Sequence, residues 1–544
     1  MMLFSGRYLY RRISNILDLA LLIIILKTLV SILSRNVVLT KDGSPTVTDL
    51  CSNSTEISPL VRKICEVEAN LLFFNPFTNP VIVKDVSFQR YYAMRDLQGW
   101  SIAFNNRSMH VVERSISSSI SANDFSVFIC LTLSGHDKFC ITPKNIRNLE
   151  QWQRYGQIYG LRHILWRKDS FCWSMTEALN GFKRRRNFTF PCWVLPQDVV
   201  SLEQEMSKHP SEPYIAKPNN KGEGHGIFVI HSFKELLDRG TLAGYVLQPF
   251  LKDPFLINGY KFDFRTYVLV TSITPLRAYF YKEGLVRFTA EKYDPNNTQS
   301  GKEQKFLTNT SINKKFSKIT SLTWTFEKLQ KWFIEHGFDG EGIFNSIKEV
   351  IAYTLLTVEY KFIKNFHSSL DGYDCNRCYQ LLGVDVILTA ALEPIVIEVN
   401  GLPSIQLSHD LGVPPDPTNT YTIIKYGLLK DMLNILLNNQ SVAVTVATAL
   451  EQLQIGVGPG PLCSPSHKTC LSYKDLLKVI SFVREHKSRG GFHLIFPSKN
   501  ETQYFSIVKH SHKLAKTKLT TVKHIYTNLR LHNVLTSILK LIER

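Results

Sequence analysis

Short apolar runs punctuated by charges and glycines fill the middle of the chain, and their period of two predicts β-strands. Tyr214–Pro218 and Ile227–Ile230 flank Gly222-Glu223-Gly224-His225-Gly226, which reads as strand, glycine-rich turn, strand. In Lys261–Val270 the alternation puts Lys261, Asp263 and Arg265 on one face and Phe262 and Phe264 on the other. Leu276–Phe280 and Leu285–Phe288, separated by Lys282-Glu283-Gly284, predict a hairpin. A second hairpin runs from Gly383–Leu388 to Pro394–Asn400. If residues 390–393 make a four-residue turn, Asp385 falls opposite Glu398, and Glu398 shares a face with Asn400. Tyr421–Leu437 has helical spacing, and Gly456–Pro461 breaks any regular element. Before these, residues 60–145 mix short apolar runs with turns, predicting a small α+β unit. The last segment, Lys509–Arg544, predicts a basic amphipathic helix, and no internal repeat is found.

Near the N-terminus, residues 16–34 are mostly apolar and follow Arg7, Arg11 and Arg12. At ~20 residues per bilayer crossing this predicts a single transmembrane helix that anchors the protein to the membrane. The 544 residues divide into an anchor (1–35), a linker and small α+β subdomain (36–145), a catalytic body (146–440) and a basic C-terminal extension (441–544). A net charge of +18 favours an acidic partner. Ten cysteines in neighbouring couples permit disulfides, with connectivity left open. Charge and cysteine pattern together allow a lumenal location for the body.

The chemistry concentrates between residues 214 and 404. Gly224 and Gly226 let backbone N–H groups approach a phosphate, and Lys217 ends the strand leading into them. A Lys261/Asp263/Arg265 row beside an aromatic row is costly unless charged ligands satisfy it. Asp385, Glu398 and Asn400 form an oxygen-only set on one sheet face, the donor chemistry of Mg²⁺, which leans on nucleotide phosphates. A nucleotide gripped between two β-layers is the ATP-grasp arrangement, an α/β (α+β) fold. No P-loop or Rossmann signature is present, and no nucleic acid is expected as partner.

The likeness extends further. Lys217-Pro218, Gln248, Asn258-Gly259-Tyr260-Lys261-Phe262-Asp263-Phe264-Arg265, Tyr281–Tyr293, Leu307-Thr308-Asn309, Ser311–Lys314 and Glu398-Val399-Asn400 resemble the tubulin–tyrosine ligase-like family. Its polyglutamylating members are the most similar. Arg167-Lys168-Asp169 and Pro191–Pro196 resemble that family's preceding segment. The resemblance implies an ATP-dependent ligase that adds free glutamate to glutamate side chains of an acidic tail, tubulin's or another protein's, through an acyl phosphate. It implies ATP contacts for Lys217, Gly224, Gly226, Gln248, Lys261, Asp263 and Asn309, and Mg²⁺ ligation by Asp385, Glu398 and Asn400. Arg265 and Arg287 would be catalytic, orienting carboxylates and stabilising developing charge. It also implies a cytoplasmic, microtubule-associated body. His225 and Pro249-Phe250 depart from the family pattern. A membrane-anchored nucleotide-binding pseudoenzyme, or a ligase of glycine or tyrosine, is the alternative.

Overall fold

The computed structural model describes residues 58–69, 81–85, 98–104, 111–114, 127–131, most of 149–499, residues 504 and 507, and 522–543. Within 149–499 the longest gaps are 182–187, 370–375 and 408–414. The apolar stretch 16–34, the linker to residue 57 and the basic run Lys183–Arg186 lie outside the described residues. The chain forms two compact units, residues 1–72 with 439–480, and residues 73–438 with 481–544.

The larger unit contains every strand discussed for the site. Val81–Asp85 (β1), Val111–Arg114 (β2), Val127–Leu131 (β3) and Arg154–Gly156 (β4) make its parallel side. Trp193–Val194 (β5), Tyr214–Pro218 (β6), Phe228–Ile230 (β7) and Tyr245–Pro249 (β8) form a separate antiparallel sheet, in the order β5-β8-β6-β7. β6 and β7 pair with Ile215 opposite Val229, so the glycine-rich segment is the turn between them, as expected. Leu256–Ile257 (β9) and Tyr260–Ile273 (β10) join through Asn258 and Gly259, both at positive φ, the two-residue turn that an Asn-Gly pair favours.

β10 is the spine of the second sheet. It pairs with Leu276–Tyr281 (β11), Leu285–Phe288 (β12) and Cys378–Leu388 (β14); β12 continues to Thr323–Thr325 (β13) and β14 to Pro394–Asn400 (β15). The hairpin expected between β11 and β12 is absent. β11 pairs with residues 268–273 of β10 and β12 with residues 262–265, so the two lie end to end along one edge. Gly284 allows this bend, since a Cβ there would sit 2.6 Å from the Arg265 carbonyl oxygen. Phe492–Phe496 (β16) then pairs with β11, so the C-terminal region contributes a strand to this sheet. Parallel pairing of β4 with β14 joins the two sides into a twelve-stranded sheet among the described residues.

The aromatic row of β10 faces the core as its alternation required. Phe262 and Phe264 are buried with Phe288, Phe326 and Phe344. Helices Phe326–Glu335 and Gly340–Leu356 cover this face, and each is capped by its preceding residue, Thr325 and Asp339.

The smaller unit pairs helix Pro59–Ala69 with helix Ala443–Gln452. The buried Glu68 accepts hydrogen bonds from Ser441 Oγ (2.7 Å) and the Val442 backbone N–H (2.9 Å), capping the second helix. A Cys463–Cys470 disulfide ties the loop before strand Thr469–Leu471 to that strand, and in the larger unit Cys172–Cys192 ties helix Lys168–Gly181 to the residue preceding β5.

The expectation of a single-pass membrane protein is corrected. Among the described residues no helix is long and apolar enough to cross a membrane. The 21-residue helix Val522–Ile542 carries Lys523, Arg530 and Lys540, charges that a bilayer core disfavours.

Candidate functional site

The two sheets of the larger unit each present one polar row. On the small sheet, Ile215 pairs with Gln248 and Lys217 with Val246, so Lys217 and Gln248 fall on one face. Both are buried, and Lys217 Nζ donates to Gln248 Oε1 at 2.7 Å. Burial lowers the Lys217 pKa to about 8, against the attraction of Glu398 and Asp385. In the adjoining turn Gly224 and Gly226 have φ of +81° and +73°. A Cβ on Gly224 would come within 2.9 Å of Asn309 Oδ1, so the turn lies against Asn309. His225 is exposed, with its ring near the Gly222 carbonyl.

On the large sheet the polar row runs across four strands. Arg287 on β12 lies opposite Asp263 on β10, Arg265 lies opposite Asp385 on β14, and Asp385 lies opposite Glu398 on β15. Arg287 grips Asp263 through Nε (2.7 Å) and Nη2 (2.6 Å) and reaches Asp385 at 3.0 Å. Arg265 grips Asp385 through Nε (2.5 Å) and Nη2 (2.9 Å). Burial alone would raise the Asp385 pKa, but the two guanidinium charges outweigh it and hold the carboxyl well below the usual range. Thr308 Oγ1 donates to Asp263 at 2.7 Å. The Nη1 atom of each arginine has no protein partner among the described residues.

Asp385 does face Glu398, yet the turn differs from the one expected. Leu388 pairs with Pro394 and Thr389 N–H donates to Glu393 O, leaving a three-residue loop with Leu392 at φ +60°. Ladder pairing then shifts by one residue between Asp385 and Val386, leaving Ile397 as a bulge. Without that bulge Glu398 would lie opposite Val384, which is buried in the core. The bulge turns Glu398 to the polar face, where Asn400 Nδ2 donates to its Oε1 at 3.2 Å.

Lys217, Gln248 and Glu398 line a narrow, solvent-open cleft, joined by Lys168, Phe171 and Ile397. Lys261 is also buried, and burial lowers its pKa to about 7. No carboxylate lies within ion-pair distance of Lys217 or Lys261 among the described residues.

A family model described as the tubulin-tyrosine ligase family matches residues 147–443. The chain belongs to this family. A tubulin polyglutamylase, TTLL6 of Mus musculus, is 29% identical over 377 residues, covering 67% of this chain and 44% of that one. The tubulin monoglutamylase TTLL4 of Homo sapiens is 28% identical over 405 residues, covering 66% and 32% respectively. The tubulin polyglutamylase TTLL7 of Xenopus tropicalis is 30% identical over 291 residues, covering 50% and 32%. The chain thus spans less than half the length of these relatives.

Within this family member, sequence reasoning missed the supports of the site. Asp169 accepts from Arg167 (3.0 and 2.6 Å) and from Asn219 Nδ2 (2.9 Å), while Asn219 Oδ1 accepts from the Asp169 N–H. This clasp joins the start of helix Lys168–Gly181 to the end of β6. A separation of 50 residues hides it from any local pattern. The rings beside Lys261, those of Phe250 and Tyr293, come from neighbouring segments outside its strand and were missed as well. The pairing of Arg265 and Arg287 with acids also shows them anchored rather than free. Among the described residues no three His, Cys, Asp or Glu side chains gather as a metal cluster, so the oxygen set is two acids and one amide.

Proposed function

We propose that the protein is an ATP-dependent ligase with the ATP-grasp arrangement, its catalytic body in residues 146–440, adding glutamate to glutamate side chains of an acidic protein tail such as tubulin's. The observation that carries this reading is a pair of buried lysines, Lys217 and Lys261, without carboxylate partners. A buried ammonium is expensive unless an anion arrives, and a polyphosphate supplies one. Family membership and the names of the relatives support the acceptor.

The donor set fits a magnesium ion. Asn400 spends its amide N–H on Glu398 and keeps its oxygen free, and Glu398 keeps Oε2 and spare lone pairs on Oε1. Asp385 receives three charged hydrogen bonds, which leaves about one lone pair of roughly four. Glu398 and Asn400 would be the main ligands with Asp385 beside them, and the ion would neutralise phosphate charge. Lys217 and Lys261 hold the phosphates, Gln248 orients Lys217 and faces the adenine, and Gly224, Gly226 and Asn309 shape the phosphate turn. Asp263 fixes Arg287.

In the reaction a carboxylate oxygen of the acceptor glutamate attacks the γ-phosphorus, forming an acyl phosphate and releasing ADP. The amine of free glutamate then attacks the acyl carbon, losing a proton as phosphate leaves. Arg265 and Arg287, anchored by Asp385 and Asp263, aim their Nη1 donors at the charge that develops.

Labelled glutamate, ATP and Mg²⁺ with microtubules test this directly. Wild type should label tubulin, and Glu398→Gln should lower the rate about 100-fold. Equal labelling by both proteins, or none by wild type on any acidic acceptor, rejects the proposal. Label from glycine or tyrosine instead would change the amino acid transferred.

A further inference from the structure

Lys261 occupies an unusual setting for a buried cation. Its Nζ lies 4.7 Å from the centroid of the Phe250 ring and 5.2 Å from that of Tyr293. Both distances are within the range of cation–π attraction. Asp263, the nearest acid along the same strand face, is already occupied by Arg287 and Thr308. The rings themselves are held firmly. Phe250 is buried edge-on against Phe306. Tyr293 donates its hydroxyl to the Lys252 carbonyl (2.8 Å) and its backbone N–H to the Gly259 carbonyl (2.9 Å). Gly259 belongs to the tight turn two residues before Lys261, so lysine and ring share one rigid corner.

We infer that Phe250 and Tyr293 form an aromatic cage that holds the Lys261 ammonium in place for the phosphates of a nucleotide, acting as positioning residues. This rests on the nucleotide-binding reading above. A carboxylate in their position would pin the ammonium by its N–H groups and would have to be displaced by each incoming phosphate. Ring faces attract the charge without accepting strong hydrogen bonds, so the three N–H donors stay available for phosphate oxygens. The cage therefore keeps the cation placed and uncommitted before the ligand arrives.

Calorimetric titration of the whole protein with a non-hydrolysable ATP analogue and Mg²⁺ tests the cage without relying on turnover. Tyr293→Leu and Phe250→Leu should each weaken binding about tenfold, the fold-change expected for one desolvated cation–π contact. Tyr293→Phe keeps the ring and should bind within about threefold of wild type. In turnover assays the leucine variants should raise KM for ATP while kcat changes less than twofold, an asymmetry that general loosening of the site would not give. If the leucine variants melt like wild type and bind the analogue equally well, the cage is wrong. It is also wrong if Tyr293→Phe binds as weakly as Tyr293→Leu. Failure of wild type itself to bind the analogue would instead reject the nucleotide-binding reading.

Discussion

Lys261 is neutralised in part by its own surroundings, since burial brings its pKa to about 7. Below about pH 7 the rings therefore hold a cation, whereas at pH 8 the nucleotide-free lysine is mostly uncharged, and phosphates that bring negative charge raise its pKa again. Binding of an ATP analogue at pH 8 should therefore take up a proton, approaching ~1 per site from this residue. Calorimetry in buffers of different ionisation enthalpy measures it, and Lys261→Met should remove most of the uptake. Identical buffer dependence in wild type and variant would mean the lysine is charged throughout. At this scale the sequence disclosed which residues carry charge. It could not disclose that Arg265 and Arg287 spend two donors each on Asp385 and Asp263, because those pairs join strands far apart in the chain.

At the scale of elements, period-two alternation correctly separated the Lys261/Asp263/Arg265 row from the Phe262/Phe264 row. It also placed the glycine turn between β6 and β7. It failed where a strand's partner was at issue. Apolar β11 and β12 satisfy a hairpin pattern, but β10 is long enough to pair with both along one edge. Gly284 is the device that lets the chain bend there. Gly284→Ala should destabilise the larger unit by about 1–3 kcal/mol, because the added methyl meets the Arg265 carbonyl oxygen and the Phe326 ring. Thermal denaturation would register this as a lower Tm, and an unchanged Tm would mean the ring and backbone can yield. The bulge at Ile397 is a second feature that no local pattern announces. An expected turn one residue too long was compensated by that extra residue, which returned Glu398 to the face opposite Asp385.

At the scale of the whole molecule, the C-terminal region is joined to the sheet that carries the site. Strand β16 covers the open edge of β11, and the buried His532 in the helix Val522–Ile542 lies 2.8 Å from Glu359. A chain ending at residue 490 should leave β11 with an unpaired edge and aggregate. Soluble yield and size-exclusion chromatography would show it, and a monomeric, well-folded truncation would argue that the edge tolerates exposure.

The sequence by itself determined the family, the mixed α/β class and the residue types of the site, because alternation and charged rows are properties of neighbouring residues. Tertiary structure alone decided which acids hold which arginines, which rings flank Lys261, and which strand closes the sheet. Those contacts bridge tens to hundreds of residues. They exist only once folding has brought distant strands into one register.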